Sequence, residues 1–351
     1  MLEKWTELAQ EEQLYKKLYK GNPSAYLIPV ESWEDFHNIY RETAGAQIPV
    51  PDEAPTYMDS FFTEESLFFP ELQDEVTMNR HSRYSPAFWH SLSFIKLAYV
   101  LKGRVTFFID QEKIMMQPGD FCMIGPNVRQ AFLAEEDDSI LVNILVRSST
   151  FSSSFSGLLM EKGSVTMHLW QILYNKTNSM AVLYSGGMDM QLQEDVLRLC
   201  AEVFSEPKKS NLIRKCLVHI LYAHILRLHE EQLILVGQKK RGKPYYIPEV
   251  MFYIRSSMKG ASLQELADRL GVTSWSLSRY IKKETGLGFV QHLNEFRMAR
   301  ASEMLRSSNI SLEKIIADIG YTDRSQFYRQ FKDKFGISPA KYRKTTEIIM
   351  Y

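Results

Sequence analysis

The spacing of hydrophobic residues changes along this chain, and each change marks a different kind of element. Between about 75 and 165 the apolar residues come in short runs separated by turn signals. FIKLAYVLKGRVTFFID carries two runs around Lys102-Gly103-Arg104, the pattern of a β-hairpin. Val105, Phe107 and Ile109 alternate with Thr106, Phe108 and Asp110, a period of two with apolar residues on both faces. Turns follow at Gln117-Pro-Gly-Asp120 and Gly125-Pro-Asn127, and a Ser-rich loop at 148–157. Short strands at such regular spacing predict a small sandwich or barrel.

From about 190 to 235 the period becomes helical. DVLRLCAEVF places Val196, Leu199, Cys200 and Val203 on one face. The segment 205–210 breaks the helix, and NLIRKCLVHILYAHILRLHEE then aligns Leu217, Ile220, Leu221, Ile225 and Leu228, predicting a helical hairpin. Residues 1–60 read as an N-terminal arm with short helices. The first ends near GNPS, SWEDFHNIY forms a second capped by Ser32, and IPVPDEAP is an extended linker. GQKKRGK at 237–243 reads as a second linker.

The last hundred residues repeat themselves. Ser262-LQELADRLGV-Thr273 returns 49 residues later as Ser311-LEKIIADIGY-Thr322. Each copy opens on a Ser placed to cap a helix and closes at Gly271 or Gly320, where glycine permits the positive φ of a helix-helix turn. Two helix-turn-helix units in register are the reading. In the second helix of the first unit, Leu277 and Ile281 face inward. Trp275, Ser278, Arg279 and Lys282 fall at i, i+3, i+4 and i+7 on the outer side. In the second unit Phe327, Phe331 and Phe335 form the inner stripe. Ser325, Tyr328, Arg329 and Lys332 repeat the outer one, with Arg324 at the helix start. The helix over 289–308 would hold the pair apart.

Composition agrees with a partner of opposite charge. The formal net charge is zero, but from Gly237 onward there are 21 basic against 11 acidic residues, and before it 21 against 31. A chain sorted in this way has one part suited to a polyanion. Arg bridges guanine O6 and N7, Ser pairs with several base edges, an aromatic ring meets the thymine methyl, and Lys meets phosphate. No apolar run is long enough for a membrane span, and the N-terminus lacks a signal-peptide core, so no membrane partner is expected. Cys122, Cys200 and Cys216 show no paired spacing, which fits a reducing cytoplasm.

GVTSWSLSRYIKKETG and LNEFRMARASEMLRSSNISLEKIIADIGYTDRSQFYRQFKDKFGISPAKYRK closely resemble the AraC/XylS family of transcriptional regulators, over about 245–345. The resemblance implies a seven-helix DNA-binding domain with two helix-turn-helix motifs. It also implies base contacts from Trp275, Ser278 and Arg279 and from Arg324, Ser325, Tyr328 and Arg329. One departure is Ile316, where the family usually has Ala; Ala317 beside it is expected to compensate.

Residues 61–165 resemble the cupin barrel that many such regulators carry. Metal-binding cupins use an H-x-H pair, a carboxylate and a later His. Here His81 is followed by Arg83, Lys96 stands where the carboxylate is expected, and Gln130 where the late His is. The expectation is a barrel with no metal and no cofactor, its effector pocket lined by His81, His90, Lys96 and Tyr99, with Lys96 favouring an anion. No phosphate loop, nucleophile elbow or HExxH motif is present.

The combined expectation is a multidomain α+β protein. Residues 1–60 form the arm, 61–165 a cupin-like sensory β-barrel, and 166–236 a helical dimerisation region. Residues 245–345 form an all-α double helix-turn-helix domain. Its expected role is a non-enzymatic, cytoplasmic, sequence-specific regulator. Its partners would be double-stranded promoter DNA, an unidentified small-molecule effector and a second copy of itself, with RNA polymerase a further candidate. Two alternatives remain: a cupin enzyme fused to a DNA-binding tail, and a regulator controlled by a protein partner.

Overall fold

The computed structural model describes residues 5–43, 61–63, 74–148, 150–151, 181–204, 210–229, 232–237, 246–308 and 310–347. The linker at 48–55, most of the Ser-rich loop, the helix break at 205–209 and most of the linker at 237–243 lie outside them. Apart from the segment 174–176, the chain divides into one unit up to Arg241 and a second from Gly242.

The first unit is built on two sheets. Strands β2 (Val76–Arg80), β4 (Ile95–Lys102), β7 (Phe121–Ile124), β9 (Ile140–Val146), β10 (Ala181–Tyr184) and β11 (Leu233–Val236) form one sheet in the order β11-β10-β7-β4-β9-β2. The other is β6-β5-β8, from β5 (Val105–Ile109), β6 (Glu112–Met116) and β8 (Gln130–Leu133). A short parallel pair, β1 (Phe61–Phe62) and β3 (Ser91–Leu92), lies apart from both. Alternate residues of the sheets meet in one core that includes Ala98, Val100, Phe107, Ile109, Cys122, Phe132 and Leu141.

The two-faced apolar pattern of β5 has a direct cause. Val105, Phe107 and Ile109 face the barrel core, while Phe108 belongs to a second cluster on the outside. That cluster is supplied by α1 (Gln10–Gly21), a 3-10 turn (Pro23–Tyr26) and α2 (Trp33–Glu42). Tyr15, Leu18, Tyr26, Trp33, Phe36 and Tyr40 pack there with Tyr84, Phe108, Ala131 and Leu133. Ser32 caps α2 by accepting from the Asp35 amide. The described N-terminal helices are therefore part of the barrel domain rather than a separate arm. A buried ion cluster fixes them. The Arg83 guanidinium donates to both Glu12 oxygens, at 3.2 and 2.9 Å, and Arg80 reaches Glu12 at 2.9 Å.

The region 166–236 is not purely helical. β10 pairs antiparallel with both β7 and β11, so two strands from this region complete the larger sheet. Between them run α3 (Met190–Phe204) and α4 (Asn211–His229), packed on each other and on β2. Val196, Leu199, Cys200 and Val203 are buried, as their spacing requires. On α4 the buried row is Val218, Leu221, Tyr222 and Ile225. Leu217 is half-buried and Ile220 is exposed, so the expected single stripe on α4 is divided between two faces; the Leu228 side chain lies outside the description. Arg214 and Lys215 tie α4 to Asp74 and Glu75, each at 2.9 Å.

The second unit holds seven helices among its described residues: α5 (Ile247–Ser256), α6 (Leu263–Arg269), α7 (Ser274–Thr285), α8 (Phe289–Ser307), α9 (Leu312–Asp318), α10 (Arg324–Phe335) and α11 (Pro339–Glu347). The repeat holds in detail. Ser262 and Ser311 accept from the third amide beyond them. Thr273 and Asp323 cap α7 and α10. Gly271 and Gly320 adopt φ of 65° and 85°. A Cβ at Gly320 would also stand 2.6 Å from Lys259 Cα, so that turn forbids a side chain twice over. The central α8 packs on α5, α7, α9, α10 and α11.

Candidate nucleic-acid interface and sensor cavity

In α7 the buried residues Leu277 and Ile281 seat the helix on its domain. On its other side Trp275 is 70% exposed, Arg279 and Lys282 are exposed and Ser278 is half-buried. The Arg279 guanidinium lies over the Trp275 ring at 5.5 Å, which holds both side chains in one extended patch. In α10 Phe327 and Phe331 are fully buried, and Phe335 is half-buried against Phe331 and Tyr342. Arg324, Ser325, Arg329 and Lys332 are exposed, with Tyr328 half-buried between. Arg324 contacts Tyr328 Oη at 3.2 Å and Glu313 at 3.1 Å. These positions were expected from spacing, and the structure sets each group on the outer side of its helix. Behind them, Arg297 of α8 donates to the Met258 carbonyl at 2.8 Å and lies over the Tyr321 ring at 5.2 Å. That brace between the two halves was not read in the sequence; it is an Arg on an otherwise mixed helix face.

The barrel contains a cavity of about 320 Å³. His81, His90 and Lys96 line it with Asn79, Arg80, Asn143 and the apolar side chains of Phe62, Phe88, Leu92, Phe132 and Leu145. Lys96 is only 4% exposed, with its Nζ 4.2 Å from the Phe132 ring centre. Burial, opposed by Cys122, lowers its pKa to about 8. Burial first, and the charge of Lys96 second, push the His81 and His90 pKa values down to about 3, so both rings are neutral. His81 hydrogen-bonds the Phe132 backbone, and His90 Nδ1 lies 3.0 Å from the Phe88 carbonyl oxygen.

Tyr99 does not join them. It is three positions from Lys96 on the same strand, hence on the opposite face, and is buried near Asp189, Tyr184 and Asp120. Arg83 and Gln130 do not line the cavity. Arg83 is spent on Glu12, and Gln130 is buried on β8, its backbone bridging His90. Asn79 and Asn143 were missed by sequence reading. They sit at matching register on β2 and β9, joined by a 2.8 Å hydrogen bond.

Residues 266–345 match the helix-turn-helix domain family and residues 74–146 match the cupin domain family. An AraC-like transcription regulator of Streptomyces lividans is 28% identical over 146 residues, 41% of this chain and 48% of its own. This chain therefore spans about half the length of that relative. The Msm operon regulatory protein of Streptococcus mutans is 23% identical over 70% of this chain and 82% of its own. Among solved structures, the C-terminal domain of the response regulator AraT from Geobacillus stearothermophilus is 32% identical, covering 30% of this chain and 88% of that one, with a TM-score of 0.28.

Residues 266–345 form a helix-turn-helix domain of the AraC type, joined to a cupin domain. The former departs from the AraC family at Ile316, which is buried in the core of the second helix-turn-helix beside Met298 and Phe327. Ala317 is exposed, so it does not compensate there; the core itself takes the larger side chain. The cupin half does not fit a metal. Among the described residues no carboxylate lines the cavity, an amine occupies its wall, and no three potential ligands converge.

Proposed function

We propose that this regulator binds promoter DNA sequence-specifically by laying α7 and α10 into two adjacent major-groove segments. The observation that carries the reading is the repeated outer face. Trp275, Ser278, Arg279 and Lys282 recur as Ser325, Tyr328, Arg329 and Lys332 with Arg324, on helices whose other faces are core. Arg279 and Arg329 are assigned to guanine edges, Ser278 and Ser325 to adaptable contacts, and Lys282 and Lys332 to phosphate. Selection from random-sequence DNA tests this. The expected product is a two-part motif with halves roughly 10 bp apart. A single unbroken contact site, or no enrichment, contradicts it.

The barrel is read as a sensor of a small molecule rather than an enzyme, working in the cytoplasm. Its support is a partly open cavity with polar groups on an apolar wall and no metal-ligand set among the described residues. RNA polymerase is a further proposed partner. No described helix is long and apolar enough to cross a membrane. Self-association is assigned to α4, through a row different from the one the sequence suggested. Leu221 is internal, whereas Ile213 and Ile220 are 48% and 41% exposed, a stripe with exposed Cys216 between. A second copy of α4 is the proposed occupant, since the same row on two chains is self-complementary.

A further inference from the structure

The cavity holds three groups that the protein itself leaves unsatisfied, and they do not ask for the same thing. Lys96 is 4% exposed, and among the described residues no carboxylate comes within ion-pairing distance of it. Its contacts are the face of Phe132 and the neighbourhood of Cys122. Among the described residues the other cation on the wall is Arg80, which is already ion-paired at 2.9 Å to Glu12, a carboxylate it shares with Arg83. The His81 Nε2 and Asn143 Oδ1 atoms are both buried with no hydrogen-bond partner among the described groups. His81 is neutral and uses its other ring nitrogen on the Phe132 backbone, so Nε2 presents a lone pair. Asn143 donates from Nδ2 to Asn79 Oδ1, which leaves its oxygen as an acceptor facing the cavity. Two buried acceptors call for donors, and a buried ammonium calls for an anion.

Simple ligands fail one half of this requirement. An aliphatic carboxylate would pair with Lys96 and leave both acceptors stranded. A neutral sugar would satisfy the acceptors and leave the ammonium unpaired. The side chains of Phe62, Phe88, Leu92 and Leu145 offer apolar cover to a C–H surface, and 320 Å³ is at the small end of ligand cavities. We propose that the barrel is the receptor for a small anionic polyol of about monosaccharide size, its carboxylate or phosphate on Lys96 and its hydroxyls donating to His81 and Asn143. This rests on the sensor reading above and names the class of effector.

The test uses the full chain, with calorimetry and thermal unfolding as readouts. D-gluconate, D-glucuronate and D-glucose 6-phosphate are the anionic probes; D-glucose and octanoate are the controls. At least one anionic probe should bind and raise the melting temperature. Its affinity should fall at least tenfold in Lys96→Met and in Asn143→Ala, both checked for fold by circular dichroism. Whether the bound probe is a sugar acid or the phosphate identifies the anion. The proposal is overturned if no anionic probe binds, if D-glucose or octanoate binds as tightly, or if Lys96→Met binds like the wild type. DNA binding measured on the same samples separates the outcomes. A chain that binds DNA but none of the anionic probes loses only this inference.

Discussion

Replacing Lys96 by Met should stabilise the free protein, even though it removes a charged side chain from the cavity wall. In the folded chain the amine titrates near 8 instead of 10.5, because burial disfavours the ammonium. At about 1.36 kcal/mol per pH unit, holding the protonated amine in the cavity costs ~3 kcal/mol. The stacked Phe132 ring, 4.2 Å away, returns about 1 kcal/mol. Methionine has similar length and no charge, so at pH 7 the variant should gain roughly 2 kcal/mol, a rise in melting temperature of roughly 4–8 °C. The pH dependence is the sharper test. The unfolded chain holds the Lys96 proton more tightly than the folded one, so wild-type stability rises with pH between about 8 and 10.5. The advantage of the variant should therefore be full below pH 8 and shrink above it. The neighbouring groups leave that window clear. His81 and His90 titrate near 3, and burial pushes the Cys122 thiol up to about 12. Paired thermal melts across pH 7–10 check this. A variant less stable than the wild type, or an advantage that does not change with pH, would refute the picture of Lys96 as an unpaired buried cation.

Other consequences follow from the same contacts. Glu12→Gln should cost about 3–5 kcal/mol by stranding Arg83, which is fully buried, and should free the N-terminal helices to limited proteolysis. Burial alone would raise the Glu12 carboxyl, but Arg83, the Ala9 amide and Arg80 together hold it below 4.5. Its contribution is thus present above pH 4.5 and lost as the pH falls further, and acid melts of the Gln variant should lack that step. DNA affinity should fall steeply with salt, with a log–log slope of several, because the region from Gly237 carries 21 basic against 11 acidic residues; a flat salt profile counts against phosphate contacts. Ile220→Glu should yield a folded monomer by light scattering if α4 is the self-association surface, since Ile220 is exposed in the single chain; a folded variant of unchanged mass removes that assignment.

The two halves of the fold were not equally legible in the sequence. The C-terminal unit declares itself because its signals are local. Ser262, Ser311, Thr273 and Asp323 cap helices within three residues, and Gly271 and Gly320 turn the chain where they stand. The barrel depends on pairings that no local window contains. AVLY at 181–184 and LILV at 233–236 are short apolar runs beside long helices, and only their partners, β7 and each other, make them strands. In the same way, Phe108 reads as an anomaly until the N-terminal helices are found to cover it. The placement of Tyr99 was within reach: a period of two puts residues 96 and 99 on opposite faces. Asn79 and Asn143 were not, since their meeting depends on the register of β2 against β9.

The central claim is that two helices read two separate segments of one site, and a matched pair of substitutions tests it most directly. Binding-site selection would be run on the wild type, Arg279→Ala and Arg329→Ala, with Lys282→Ala and Lys332→Ala as controls. All four positions are exposed on the outer faces of α7 and α10. Each Arg variant should lose base preference in one half of the motif only, a different half for each, at a cost of about 1–3 kcal/mol on the best site. The Lys variants should weaken all sequences alike. Loss of preference in the same half from both Arg variants, or equal changes from Arg and Lys, would contradict the account.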